Sequence, residues 1–136
     1  MRLLVLTSEP ISAGQLRDAL GWTADREDIE VMLVAPALHE STLKFWLSDA
    51  DDAIARAERV RRESVEMLDA GGVPAHSDTG EGDPLDAIED TLRTFDAERI
   101  VLFRHPRGEQ RYREDVNPLD VEQRFGLPVD QALVAA

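Results

Sequence analysis

An open parallel α/β sheet with helices on both faces, held in one domain over residues 1–136, is the fold this sequence predicts. Three observations lead there. Short, unbroken apolar runs recur along the chain, as in strands buried on both faces. Amphipathic helical patterns separate them. Most of those patterns carry their own start and stop residues, so the order reads β-α-β-α-β-α-β-α-β without linker or repeat.

The elements follow in turn. Met1 to Leu6 is the first apolar run and, at that length, a buried strand rather than a signal peptide. Ser12 and Gln15 make a capping box, Leu16, Ala19 and Leu20 supply one apolar face, and Gly21 stops the helix. Ile29 to Ala35 is the second strand. A longer helix opens at Ser48 and Asp51, repeats Ala53, Ala57, Val60, Ser64 and Met67 at helical spacing, and ends at Gly71-Gly72. Pro74 to Thr79 is a polar strand, diluted by His76, Ser77 and Asp78, and suits a sheet edge. Asp83 caps the third helix, with Pro84 in its first turn and Leu85, Ile88, Leu92 and Phe95 on one face. Ile100 to Phe103 is the fourth strand. Asn117 and Pro118 open a last short helix that Gly126 closes, and Val129 to Ala135 is the fifth strand.

Composition narrows the function. A formal net charge of −13 argues against nucleic acid as a partner, because neutralising phosphates needs a contiguous basic face. No apolar stretch is long enough for a bilayer, so no membrane role is expected. The chain has no cysteine, which removes disulfides, thiol catalysis and cysteine-bound metals and makes the cytoplasm the expected location. His39, His76 and His105 lie on different elements without ligand spacing, so no metal is expected. Asp49, Asp51 and Asp52 fit a helix N-terminus better than a cation site. There is no Gly-x-Ser-x-Gly elbow, no phosphate-loop Gly-Lys-Ser/Thr and no complete dinucleotide fingerprint, and Gly80-Glu81-Gly82 lacks the third glycine. No catalytic residues are expected.

Two connections, Pro36 to Ser48 and Arg104 to Asn117, are longer than such folds need, and long loops in compact domains are commonly functional. The second is the more informative. Strand Ile100–Phe103 breaks into Arg104-His105-Pro106-Arg107-Gly108 and leads to a helix start, an arrangement that builds anion sites at the carboxyl ends of parallel strands. Arg104, His105, Arg107, Arg111 and Arg113 could grip a phosphate or carboxylate, or pair with Glu109, Glu114 and Asp115. Phe45 and Trp46, in the first long loop, could cover a nucleobase or apolar ligand, or pack on the sheet end or a partner subunit.

In element order, in Leu68-Asp69-Ala70-Gly71-Gly72-Val73 closing the second helix, in Gly82-Asp83-Pro84 opening the third, and in Phe125-Gly126-Leu127-Pro128-Val129 entering the last strand, the chain resembles the universal stress protein family. The resemblance covers essentially the whole length. It implies strand order 3-2-1-4-5, which agrees with right-handed crossovers and a polar third strand at one edge. The first and fourth strands are then neighbours, and Thr7, Ser8 and Glu9 face the same crevice as the Arg104–Gly108 loop. Glu9 could be a general base or an ion-pair partner. The family's phosphate-binding glycines and its Ser or Thr fall here on His105, Gly108, Pro118 and Leu119. Only Gly108 is retained, Pro118 lacks an N–H and Leu119 lacks a hydroxyl, so ATP held in the family's manner is not expected and no cofactor is assigned.

The resulting expectation is a non-enzymatic stress-response protein that binds a small anionic or nucleotide-like ligand through Thr7, Ser8, Glu9, Arg104, His105, Arg107 and Gly108, or acts by dimerisation. A homodimer is expected through the last strand, because Ala132-Leu133-Val134-Ala135 is an apolar edge without protective lysine or proline. The alternatives are an interaction module with a vestigial nucleotide pocket and an enzyme acting on adenylated or phosphorylated substrates.

Overall fold

Strand β1 (Arg2–Thr7) lies at the centre of a five-stranded sheet in a computed structural model of the chain. The structure describes residues 1–21, 28–36, 50–80, 83–105 and 117–134. With β2 (Glu30–Pro36), β3 (Ala75–Gly80), β4 (Arg99–Arg104) and β5 (Val129–Leu133), the order is β3-β2-β1-β4-β5. Every pairing is parallel. Among the described residues four helices connect them: α1 (Ala13–Leu20), α2 (Ala50–Ala70), α3 (Pro84–Leu92) and α4 (Pro118–Phe125).

Strand alternation divides the core in two. Leu3, Val5, Val31, Leu33, Ala35, Val101 and Phe103 face α1 and α2, where they meet Leu16, Ala57, Val60 and Leu68. Leu4, Leu6, Val34, Ile100 and Leu102 face α3 and α4 and meet Ala87, Ile88 and Val121. The central strands are buried on both sides, hence their unbroken apolar sequence. The two edge strands differ. On β3, His76 and Asp78 are exposed, whereas β5 pairs Val129 to Ile100 and leaves Leu133 66% exposed.

Several boundaries differ from those predicted. Along α2 the buried face runs Ala53, Ala57, Val60, Ser64 and Leu68, while Met67 is exposed. After four turns the stripe has drifted by one residue, because 3.6 residues per turn does not divide the spacing evenly. Phe95 is buried beyond the end of α3, its N–H donating to the Thr91 carbonyl at 2.9 Å. Strand β5 ends at Leu133, with Val134 N–H still donating to the Arg104 carbonyl at 2.8 Å. The Ser48 start of the second helix and the final Ala135-Ala136 lie outside the described residues.

Two glycines seat α2 against α1. Gly71 passes so close to α1 that a Cβ built on it would lie 2.3 Å from Ala13 Cβ, and Arg17 Nη2 donates to its carbonyl at 3.0 Å. Gly72 has φ of 81°, a left-handed conformation that ends the helix and aims the chain at β3. This seating matters for function because α1 begins immediately after the turn that leaves β1.

Candidate functional site

That turn, Thr7 to Ser12, is fixed by its own side chains. The Thr7 hydroxyl donates to the Glu9 carbonyl at 2.6 Å and accepts from the Glu9 N–H at 3.2 Å. Ile11 is fully buried, and its N–H donates to Ser64 Oγ of α2 at 3.1 Å. Ser12 and Gln15 close the expected capping box, the Gln15 N–H donating to Ser12 Oγ at 3.2 Å and the Ser12 N–H to Gln15 Oε1 at 2.8 Å. With this many internal bonds, Ser8 and Glu9 are presented in one conformation at the carboxyl end of the central strand.

His105 meets them from the end of β4. The strand pairs with β1 in the register Leu6 to Leu102 and Thr7 to Phe103, so the residues just past both strands are neighbours. His105 Nε2 lies 2.9 Å from Glu9 Oε1, and Nδ1 lies 3.4 Å from Ser8 Oγ. All three residues are buried, with His105 at 1%, Ser8 at 5% and Glu9 at 7% exposure. An ionised carboxylate can only accept, so Nε2 is the protonated nitrogen. A neutral ring then offers the Nδ1 lone pair to the Ser8 hydroxyl. The three side chains therefore line up in one order, with Nε2–H donating to Glu9 at 2.9 Å and the Ser8 hydroxyl opposite Nδ1 at 3.4 Å.

Arg104 points elsewhere. It shares strand parity with Ile100 and Leu102, which face α3 and α4, whereas His105 shares parity with Val101 and Phe103 on the opposite face. Its Nη2 donates to Gln131 Oε1 of β5 at 2.6 Å. Adjacent in sequence, Arg104 and His105 are thus directed to different sides of the sheet. Arg107 and Gly108 lie outside the described residues, as do Arg111, Arg113, Phe45 and Trp46.

The N-terminus of α4, where the resemblance places the family's phosphate-binding frame, is capped by Asn117. Asn117 Oδ1 accepts from the Leu119 N–H at 2.9 Å, the Asn117 carbonyl accepts from the Val121 N–H at 3.2 Å, and Pro118 has no N–H. The Leu119 side chain is exposed. On β5, Asp130 binds Arg99 of β4, and this hydrogen bond raises the Arg99 guanidinium above its ordinary pKa against the opposing effect of burial.

The sequence places Ser8, Glu9 and His105 at one crevice, but their direct contact through the His105 ring was not expected from it. Its signal lies in a Ser-Glu pair just after one strand and a histidine just after another, once the two strands are known to be neighbours. Among the described residues no group of three or more His, Asp or Glu side chains could hold a metal ion. No helix among them is long and apolar enough to cross a membrane.

The geometry defines a class: an open parallel sheet whose chain order reverses between β1 and β4, with buried polar side chains at that reversal, the position where such sheets bind ligands. Within it, the chain has a universal stress protein-like fold. It is similar to a crystal structure of a protein from the universal stress protein family of Burkholderia pseudomallei, with 17% identity, a TM-score of 0.56, and coverage of 99% of this chain and 96% of that one. It is also similar to a hypothetical protein, PH0823, with 15% identity, a TM-score of 0.50 and the same coverages. No family model and no curated protein matches the sequence.

Proposed function

We propose that this protein is a cytoplasmic, non-enzymatic binding protein of the universal stress type that takes a small nucleotide-like ligand in the crevice between β1 and β4. The observation that carries this reading is the buried Ser8–His105–Glu9 chain at the point where strand order reverses. Buried polar groups are costly to keep unless they are well paired or used, and here they lie where this fold binds ligands. Recognition falls on the hydroxyl-bearing, nucleoside part of the ligand, because a carboxylate suits sugar hydroxyls and repels phosphate. The α4 N-terminus supports the same choice, since Asn117 already uses the Leu119 N–H that a phosphate would seek.

Dimerisation through β5 is the second half of the proposal. Of the two sheet edges, β5 carries the exposed Leu133. Antiparallel pairing of two copies would satisfy its outer backbone groups and cover that side chain.

Two measurements test these halves. Calorimetry is expected to show adenosine binding at least as tightly as ATP, and a tenfold or greater preference for ATP would overturn the nucleoside reading. Light scattering at tens of micromolar (roughly the range where weak interfaces dissociate) is expected to show a dimer that Leu133→Lys converts to monomer. A monomeric wild-type protein under those conditions would remove the dimer.

A further inference from the structure

Among the described serines, Ser12, Ser64 and Ser77 accept hydrogen bonds from backbone or guanidinium N–H groups. Ser8 is the one whose hydroxyl faces a ring nitrogen. That nitrogen belongs to an imidazole whose other nitrogen is held by a carboxylate, the sequence of groups by which a weakly acidic hydroxyl is turned into a nucleophile. The ring nitrogens are exchanged relative to the arrangement in which Nε2 faces the serine, but the logic of donor, base and orienting acid is unchanged. The Ser8–His105 separation of 3.4 Å is longer than a formed O–H···N bond, and such contacts commonly tighten only when a substrate arrives.

We propose that Ser8 is an activated nucleophile that accepts an acyl group, with His105 as its base and Glu9 as the positioning residue. Ser8 Oγ attacks the carbonyl carbon of an activated ester, and its proton passes to His105 Nδ1. The new Oγ–C bond forms, the bond from carbon to the leaving oxygen breaks, and the Nδ1 proton passes to that oxygen. Glu9 accepts throughout from Nε2–H and stabilises the imidazolium that forms. An uncharged acyl group fits this site better than a phosphoryl group, because a carboxylate sits within it and the Arg104 side chain is directed to the other side of the sheet. The step goes beyond ligand binding, yet it asks for no turnover: one acyl group per chain is sufficient.

The probe is p-nitrophenyl acetate, with acetylation followed over time by peptide mass spectrometry on the full chain. Ser8 is expected to acetylate at least tenfold faster than Ser12 in the same sample, a comparison that needs no variant to fold. Glu9→Gln should slow labelling of Ser8 severalfold or more while leaving Ser12 labelling unchanged, and Glu9→Asp should restore part of the lost rate. Ser8→Ala should leave the remaining acetylation pattern unchanged. A Ser8 rate equal to that of Ser12, or a Ser8 rate unchanged by Glu9→Gln, would overturn the proposal. Adenosine affinity is read separately, so failure here is distinguishable from failure of the binding reading.

Discussion

The ends of β1 and β4 and the start of α4 both belong to the region where parallel sheets meet their ligands, and they are built in opposite ways. At the strand ends, three polar side chains from residues 8, 9 and 105 are buried against one another, and the groups they satisfy are side chains distant in sequence. At the helix start, Asn117 satisfies the backbone locally, two residues away, and the neighbouring Leu119 side chain is exposed. The first arrangement depends on tertiary structure and is costly if one partner is lost. The second is a local helix cap. On the proposed function, recognition falls to the strand ends and the Asn117 cap serves the helix.

Substitution can break that contrast at either end, and the expected effects differ in size. His105→Ala removes the hydrogen bond from the imidazole to the Glu9 carboxylate, about 1.5–3 kcal/mol for a bond to a charged group, and the space left by the buried ring adds to that loss. Chemical denaturation should show a loss in this range; a loss below about 1 kcal/mol would mean that the pair is effectively exposed to solvent.

Ser64→Ala acts one layer further out. It removes the acceptor of the Ile11 N–H, a buried donor, at about 1–3 kcal/mol. Because Ile11 anchors the turn that presents Ser8 and Glu9, hydrogen exchange at residues 8–12 should accelerate more than in the β2 amides. Uniform acceleration would show that the turn is not a separate unit.

Asn117→Ala should have the smallest effect, about 1 kcal/mol for a lost helix cap. It should also leave adenosine affinity unchanged within a factor of two. A tenfold change in calorimetry would assign the α4 terminus to the ligand site after all.

Much of the fold was legible because its signals are local or strictly periodic. The capping box at Ser12, the Asp83 and Asn117 caps and the apolar strands each need only a few neighbouring residues; the caps occur as read and the strands with ends moved by one or two residues. Met67 and Leu68 mark where that method loses accuracy, since a one-residue drift along α2 exchanges the buried and exposed side chains. The site was legible only in part. Ser8, Glu9 and His105 stood out as residues just beyond strands, but Ser8 and His105 are 97 positions apart. Only the β1–β4 register brings them within hydrogen-bonding distance. Arg104 shows the reverse case. It was grouped with His105 by proximity in sequence, whereas strand alternation sends neighbouring residues to opposite faces.

The central claim is that ligand recognition belongs to the strand-end cluster. Calorimetry of adenosine binding to Glu9→Gln, beside the wild-type protein, tests it most directly. Gln keeps an oxygen for the His105 Nε2–H but removes the negative charge offered to sugar hydroxyls, so affinity should fall about tenfold or more, the order of one charge-assisted hydrogen bond. An unchanged adenosine affinity in the folded variant would contradict the claim.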